Sequence, residues 1–146
     1  MDIFAAIEED HNQISALFRK LTGTQDAGAR EALFAELKEN LESHSHAEEQ
    51  VLYAALKAVE ATRDIALEAL EDHQLVADLL QELAAMPQQM EGWHEKLHVL
   101  QENVQLHVEE EESEIFASAR QVLSTEQLEA LHERWEEAKA RQKVPR

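Results

Sequence analysis

A chain of 146 residues, 44% of them apolar, has the size of one domain with one substantial core, and 3 Gly and 2 Pro are too few for the tight reversals of a sandwich or barrel. Thirteen basic against 31 acidic residues leave a net charge of −18, which repels phosphate backbones and anionic lipid surfaces, so no nucleic acid and no membrane is expected as a partner. The absence of cysteine excludes disulfides, thiolate metal sites and cysteine nucleophiles. Apolar residues recur at helical spacing from Ile3 through Ile7, Ile14, Leu17 and Phe18 to Leu21, behind Asp2 as N-cap. Thr22 to Gly28 reads as a break, after which Leu33, Leu37, Leu41, Val51, Leu52, Leu56 and Val59 carry a second, long helix. The pattern resets near Ala61 and Thr62, and a third stripe through Ile65, Leu70, Val76, Leu80 and Leu83 stops before Pro87. A fourth helix starts between Gln88 and Gly92 and runs through Trp93, Leu97, Leu100, Val104 and Ile115 to Val122. Ser124 with Gln127 three residues on has the form of a capping box, which predicts a short fifth helix carrying Leu128, Leu131 and Trp135, followed by a basic, frayed tail from Lys139 to Arg146. Short links between long helices predict an all-α fold, an antiparallel up-down-up-down four-helix bundle with the fifth helix laid against it.

The chain repeats itself. Glu9-Asp10-His11 superposes on Glu71-Asp72-His73, with Leu17 on Leu79 and Leu21 on Leu83. Downstream, Asn40, His44, Glu48, Glu49, Leu52, Tyr53 and Ala54 superpose on Asn103, His107, Glu111, Glu112, Ile115, Phe116 and Ala117. Each half thus supplies one histidine from its first helix and a His-x-x-x-Glu from its second. That spacing occurs four times in the chain, against roughly one or two expected by chance. His98 with Glu102 and His132 with Glu136 lack the repeat and fall on polar or peripheral positions. His11, His44, Glu48, His73, His107 and Glu111 instead interrupt the apolar stripes, and at a rise of about 1.5 Å per residue the four histidines come to one level of the bundle.

Two carboxylates and four imidazoles buried without a counter-charge are costly, and no Lys or Arg occupies the inner stripes at that level. A cation resolves the conflict, and this donor set suits iron, manganese or zinc. Six ligands in a duplicated arrangement predict two ions, one on His11 and His44, the other on His73 and His107, with Glu48 and Glu111 bridging.

At these residues the chain resembles the hemerythrin-like domain family, with its duplicated His…His-x-x-x-Glu signature. The likeness covers about residues 1 to 122 and rests on Glu9-Asp10-His11, on His44 to Tyr53, on Glu71-Asp72-His73 and on His107 to Phe116. The resemblance implies a non-haem di-iron centre with an oxo or hydroxo bridge, manganese or zinc being possible substitutes, which binds dioxygen at a vacant iron position. It divides the chain into a metal-binding bundle, 1–122, and a C-terminal helix with its basic tail, 123–146. Oxygen-carrying members have a further histidine one turn after the third-helix histidine; here that position is Ala77, and its counterpart on helix one is Ser15. The proline usual after the aromatic is replaced by Ala54 and Ala117. An open coordination position gives weight to binding or sensing of dioxygen, peroxide or nitric oxide, with a catalase-like peroxide-decomposing enzyme as alternative and iron sequestration or a metal-stabilised interaction bundle behind it. Relatives that repair iron centres carry a cysteine-bearing N-terminal segment, absent from this sequence, so that role is not expected.

Remaining polar residues read more plainly. Glu8, one turn before His11, and His46 are the candidates for an extra ligand; His46, His94 and His98 otherwise face solvent, and His132 with Trp135 packs the last helix. Asn40 and Asn103 are candidates to orient the imidazoles, or ordinary polar fillers. Tyr53 is a core residue or a phenol placed near the metals, and Glu109 to Glu112 form a solvated face apart from Glu111. Leu17, Phe18, Leu79 and Leu80 are expected to line a dry pocket. A ferritin-like centre would use Glu8 with His11 and Glu95 with His98, but these pairs do not match within the repeat. No apolar run reaches membrane-span length and MDIFAAIEED lacks the features of a secretory signal, so a cytoplasmic location is expected.

Overall fold

Side chains set where the helices begin. Asp2 accepts from the Ala5 amide at 2.8 Å and opens α1 (Ile3–Gly23). Asp26 does the same for Ala29 at 2.8 Å, so α2 (Ala27–Glu48) starts inside the stretch that composition assigns to the break, which narrows to Thr24 through Asp26. Helix α2 continues through a π-helical turn at Glu49–Tyr53 into a last turn at Ala54–Lys57. Its exit is pinned by Thr62, whose buried hydroxyl donates to the Leu56 carbonyl at 2.6 Å. Helix α3 (Arg63–Ala85) stops where the extended backbone of Met86 prepares for Pro87. Helix α4 (Glu91–Glu110) continues through a second π-helical turn at Glu111–Ile115 into Phe116–Val122. The capping box forms reciprocally, Ser124 N to Gln127 Oε1 at 2.8 Å and Gln127 N to Ser124 Oγ at 3.1 Å, and starts α5 (Thr125–Lys143). This computed structural model describes residues 2–143, and among them there are helices and no strand.

The four-helix bundle with an added fifth helix is the arrangement the periodicity predicts. Helix α5 is nevertheless neither short nor frayed at Lys139: it runs 19 residues, and Ala138 and Lys139 belong to its packed face. Leu131, Trp135 and Ala138 are buried in one cluster with Ile3, Tyr53 and Phe116. Burial of a leucine-sized side chain contributes about 1.5–3 kcal/mol, and Leu131 and the larger Trp135 are the two such anchors that hold the helix along α1 and α2. Val144 to Arg146, the end of the expected tail, lie outside the described residues.

The core is in two parts. Ile3, Ile7, Leu52, Leu56, Ala66 and Phe116 anchor one apolar cluster, which α5 completes. Leu17, Phe18, Leu37, Leu80, Trp93 and Leu100 anchor the other, where the Trp93 indole N–H donates to the Leu83 carbonyl at 3.0 Å. The chain passes from one cluster to the other between Ile7 and Ile14, Leu41 and Ala47, Ala69 and Val76, and Val104 and Ile115. A polar layer sits at those four crossings.

Candidate metal centre

The four helices deliver His11, His44, Glu48, His73, His107 and Glu111 to that layer, all buried, both glutamates with no exposed surface. His11 Nε2 lies 3.0 Å from Glu111 Oε1. His44 Nε2 and His73 Nε2 lie 3.2 and 3.1 Å from the same oxygen, Glu48 Oε1. His73 Nε2 faces His107 Nε2 at 3.1 Å. Two groups result, each with its ligand atoms within 4.8 Å of one another: His11, His44, Glu48 and Glu111, and Glu48, His73 and His107. Glu48 is common to both, while Glu111 Oε2 stands 3.7 Å from His107 Nε2.

The outer nitrogens define the tautomers. His44 Nδ1 bonds Asp10 at 2.9 Å, His11 Nδ1 bonds Glu112 at 2.7 Å and His73 Nδ1 bonds Glu49 at 2.8 Å; His107 Nδ1 is 3.4 Å from Asp72. A carboxylate on Nδ1 holds the proton there and turns the Nε2 lone pair inward. The pattern follows the repeat. Each half's aspartate serves the histidine of its own second helix, and the glutamate after each motif serves the first-helix histidine of the other half. Asn40 and Asn103, expected as candidates for this task, donate instead to Glu36 and Val99 carbonyls of their own helices at 2.8 Å. Glu112, expected on a solvated face, is one of the four orienting acids.

Whether a cation fits can be judged from the atoms left over. His11 Nε2, both oxygens of Glu48 and Glu111 Oε1 are buried without a hydrogen-bond partner, although each of these side chains has others of the cluster at about 3 Å. Nitrogen and oxygen ligand atoms converging at that spacing are a cation's donor set. Without the cation, protons take its place. Burial disfavours charge on His44 and His73, but Glu48 with Asp10 raises the first to about 10 and Glu48 with Glu49 raises the second to about 9. Burial and the neighbouring Glu48 push Glu111 up to about 7.

Tyr53 joins the centre, and helical counting alone does not place it there. Its hydroxyl donates to Glu111 Oε2 and lies 3.2 Å from His107 Nε2. Burial, then Glu48 and Glu111, hold its ionisation well above the usual phenol range, so it keeps its proton. In an α-helix the residue stacked one turn beyond Glu48 is Leu52; the π-helical turn stacks residue i+5, which brings Tyr53 over the site. The signal in the sequence is the buried pair Leu52-Tyr53 next to the motif, too apolar for one stripe.

Two openings reach the layer from opposite sides. One of about 340 Å³ is lined by His11, Ser15, Phe18, Val104 and Val108, and one of about 200 Å³ by His46, Glu49, His73, Ala77 and Leu80. Each lies where a histidine one turn beyond His11 or His73 would project. Of the expected pocket residues, Phe18 lines the first and Leu80 the second, whereas Leu17 and Leu79 line neither. Glu8, His94, Glu95 and His98 are exposed, which leaves the ferritin-like pairs apart. His46 is exposed at the rim of the smaller opening and joins neither ligand group, and the half-buried His132 bonds Glu136 at 3.1 Å.

Comparison with known proteins shows the family. The hemerythrin HHE cation-binding domain matches residues 2–119, so the chain belongs to that family. Its structure is similar to the crystal structure of a hemerythrin HHE cation-binding domain-containing protein from Mycobacterium kansasii, with a TM-score of 0.83 and 28% identity over 97% of this chain and 87% of that one. It is also 29% identical over 141 residues to a protein from Nostoc sp. named DNA nickase; the match takes in 97% of this chain and 40% of that protein, so the chain spans well under half of that relative.

Proposed function

We propose that this HHE domain holds two iron ions, one on His11 and His44 and one on His73 and His107, with Glu48 and Glu111 between them, and that it binds dioxygen or a related small ligand, peroxide or nitric oxide, for sensing, binding or detoxification. The observation that carries this reading is the set of inward lone pairs without hydrogen-bond partners, with His11, His44 and His73 each bonded at Nδ1 by an outer carboxylate. Manganese and zinc suit the same donors. When bound, the irons supply the redox chemistry by which such a centre takes up its small ligand. The chain's residues do the rest. Glu49, Asp10 and Glu112 fix the imidazole planes of His73, His44 and His11, and the apolar clusters above and below the layer keep bulk water out. Ala77 and Ser15 leave room beside His73 and His11 for a small molecule to enter.

Tyr53 favours a second reading, decomposition of peroxide. Its buried hydroxyl donates to Glu111 Oε2 and lies beside His107 Nε2, so it holds a proton at the layer where a small ligand would enter. The net charge of −18 argues against DNA as a partner of this chain, whatever the remainder of the Nostoc relative does. No helix among the described residues is long and apolar enough to cross a membrane. The test is anaerobic loading with ferrous iron, metal quantitation, and optical spectra as air and then hydrogen peroxide are admitted. A reversible charge-transfer band with two irons per chain supports binding or sensing; rapid bleaching with oxygen evolved from peroxide supports the enzyme. Failure to retain iron overturns both.

A further inference from the structure

The four acids that orient the imidazoles are related in pairs by the repeat, yet they are not equivalent. Glu49, Asp72 and Glu112 have side chains 39%, 46% and 37% exposed, and water shares in their solvation. Asp10 is 15% exposed, and its Oδ2 accepts twice, from His44 Nδ1 at 2.9 Å and from Lys139 Nζ at 2.8 Å. Among the described residues, Asp10 is the one member of the four with an ion pair to a lysine or arginine. The lysine comes from α5, beyond the residues 2–119 that match the family. It is fixed there by Trp135, one turn earlier, whose buried ring meets the His44 ring edge-on at 5.6 Å between centroids and carries Lys139 Nζ at 5.8 Å. The duplicated half has the same aspartate, Asp72, and no fifth helix over it.

We propose that Lys139 is a positioning residue for one half of the centre: acting through Asp10 on His44, it weakens divalent-cation binding at the His11–His44 site and leaves the His73–His107 site untouched. The inference rests on the metal-centre reading above. A carboxylate on Nδ1 raises the donor strength of Nε2 in proportion to the charge it brings. A half-buried ammonium on the same oxygen takes part of that charge away and adds its own positive field to a site that must accept a cation. The His73–His107 half feels neither effect.

The test uses the full chain, freed of metal, titrated with cobalt(II) and followed by its visible bands and by calorimetry. Wild type takes two ions per chain in two resolved steps. Lys139→Met keeps the methylene stem against Trp135 and removes the charge; one step tightens by about tenfold and the other stays. Lys139→Arg shifts neither. Lys139→Gln, which removes the charge and keeps a polar side chain, moves the same step as the methionine does and serves if that variant does not fold. Two ions bound with both steps unshifted in the charge-removing variants, or with either step weakened, overturns the proposal while leaving the centre itself standing. A wild-type chain that binds no cobalt overturns both.

Discussion

Replacing Tyr53 with phenylalanine isolates the one member of the centre that the helical pattern does not reveal. The ring has no exposed surface and packs among Leu52, Leu56 and Phe116, so Tyr53→Phe leaves the packing in place and removes only the hydroxyl. That hydroxyl donates to Glu111 Oε2 inside the bundle, where no other hydrogen-bond donor meets that oxygen among the described residues. In melts at pH 8.5, where Glu111 is ionised, a hydrogen bond to a charged group contributes about 1.5–3 kcal/mol, most of it the cost of leaving the carboxylate unpaired. For a domain of this size about 1 kcal/mol corresponds to roughly 2–4 °C, so the metal-free variant melts about 3–12 °C below wild type. All six proposed ligands remain, so the variant still takes up two irons. The assay is a pair of thermal melts of metal-free protein, followed by circular dichroism, with metal quantitation after loading. Equal melting temperatures refute the contact between Tyr53 and Glu111; loss of an iron shows instead that the phenol is itself a ligand.

Three further outcomes follow from the same geometry. His73→Ala removes the imidazole that faces His107 and reduces the iron content from two to one per chain; two irons retained contradicts the assignment of that site. Because His44 and His73 titrate at about 10 and 9 in the metal-free chain, both carry a proton at pH 7.5 that a cation must displace. Calorimetric loading in buffers of different ionisation heat should therefore register about two or more protons released per chain, and apparent affinity should rise with pH up to about 9; a pH-independent affinity refutes it. Ala77→His places an imidazole in the smaller opening beside His73 and makes oxygen uptake more persistent; an unchanged lifetime of the oxygenated colour shows that the open position does not decide function.

The bundle and its six inward residues were legible because periodicity and duplication act together: the same histidines interrupt the apolar stripe twice, at one height. Elements that break the period were not. The π-helical turns after Glu48 and Glu110 shift the register by one residue, which moves Tyr53 inward against a 3.6-residue count. Asp10, Asp72, Glu49 and Glu112 were visible as repeated residues, but on a chain with 31 acidic side chains the orienting acids look like solvated surface. Asn40 and Asn103 repeat as faithfully and serve only their own helices, so repetition alone does not separate a ligand's neighbour from a filler. The length of α5 was hidden by composition, since a helix anchored by Leu131, Trp135 and the small Ala138 between charged residues carries a weak apolar signal.

Anomalous diffraction at the iron edge from crystals of the iron-loaded chain tests the central claim most directly. The account predicts two peaks in the layer between the apolar clusters, one among His11, His44, Glu48 and Glu111 and one among Glu48, His73 and His107. A single peak, or iron at surface histidines such as His94 and His98 with the buried layer empty, contradicts it.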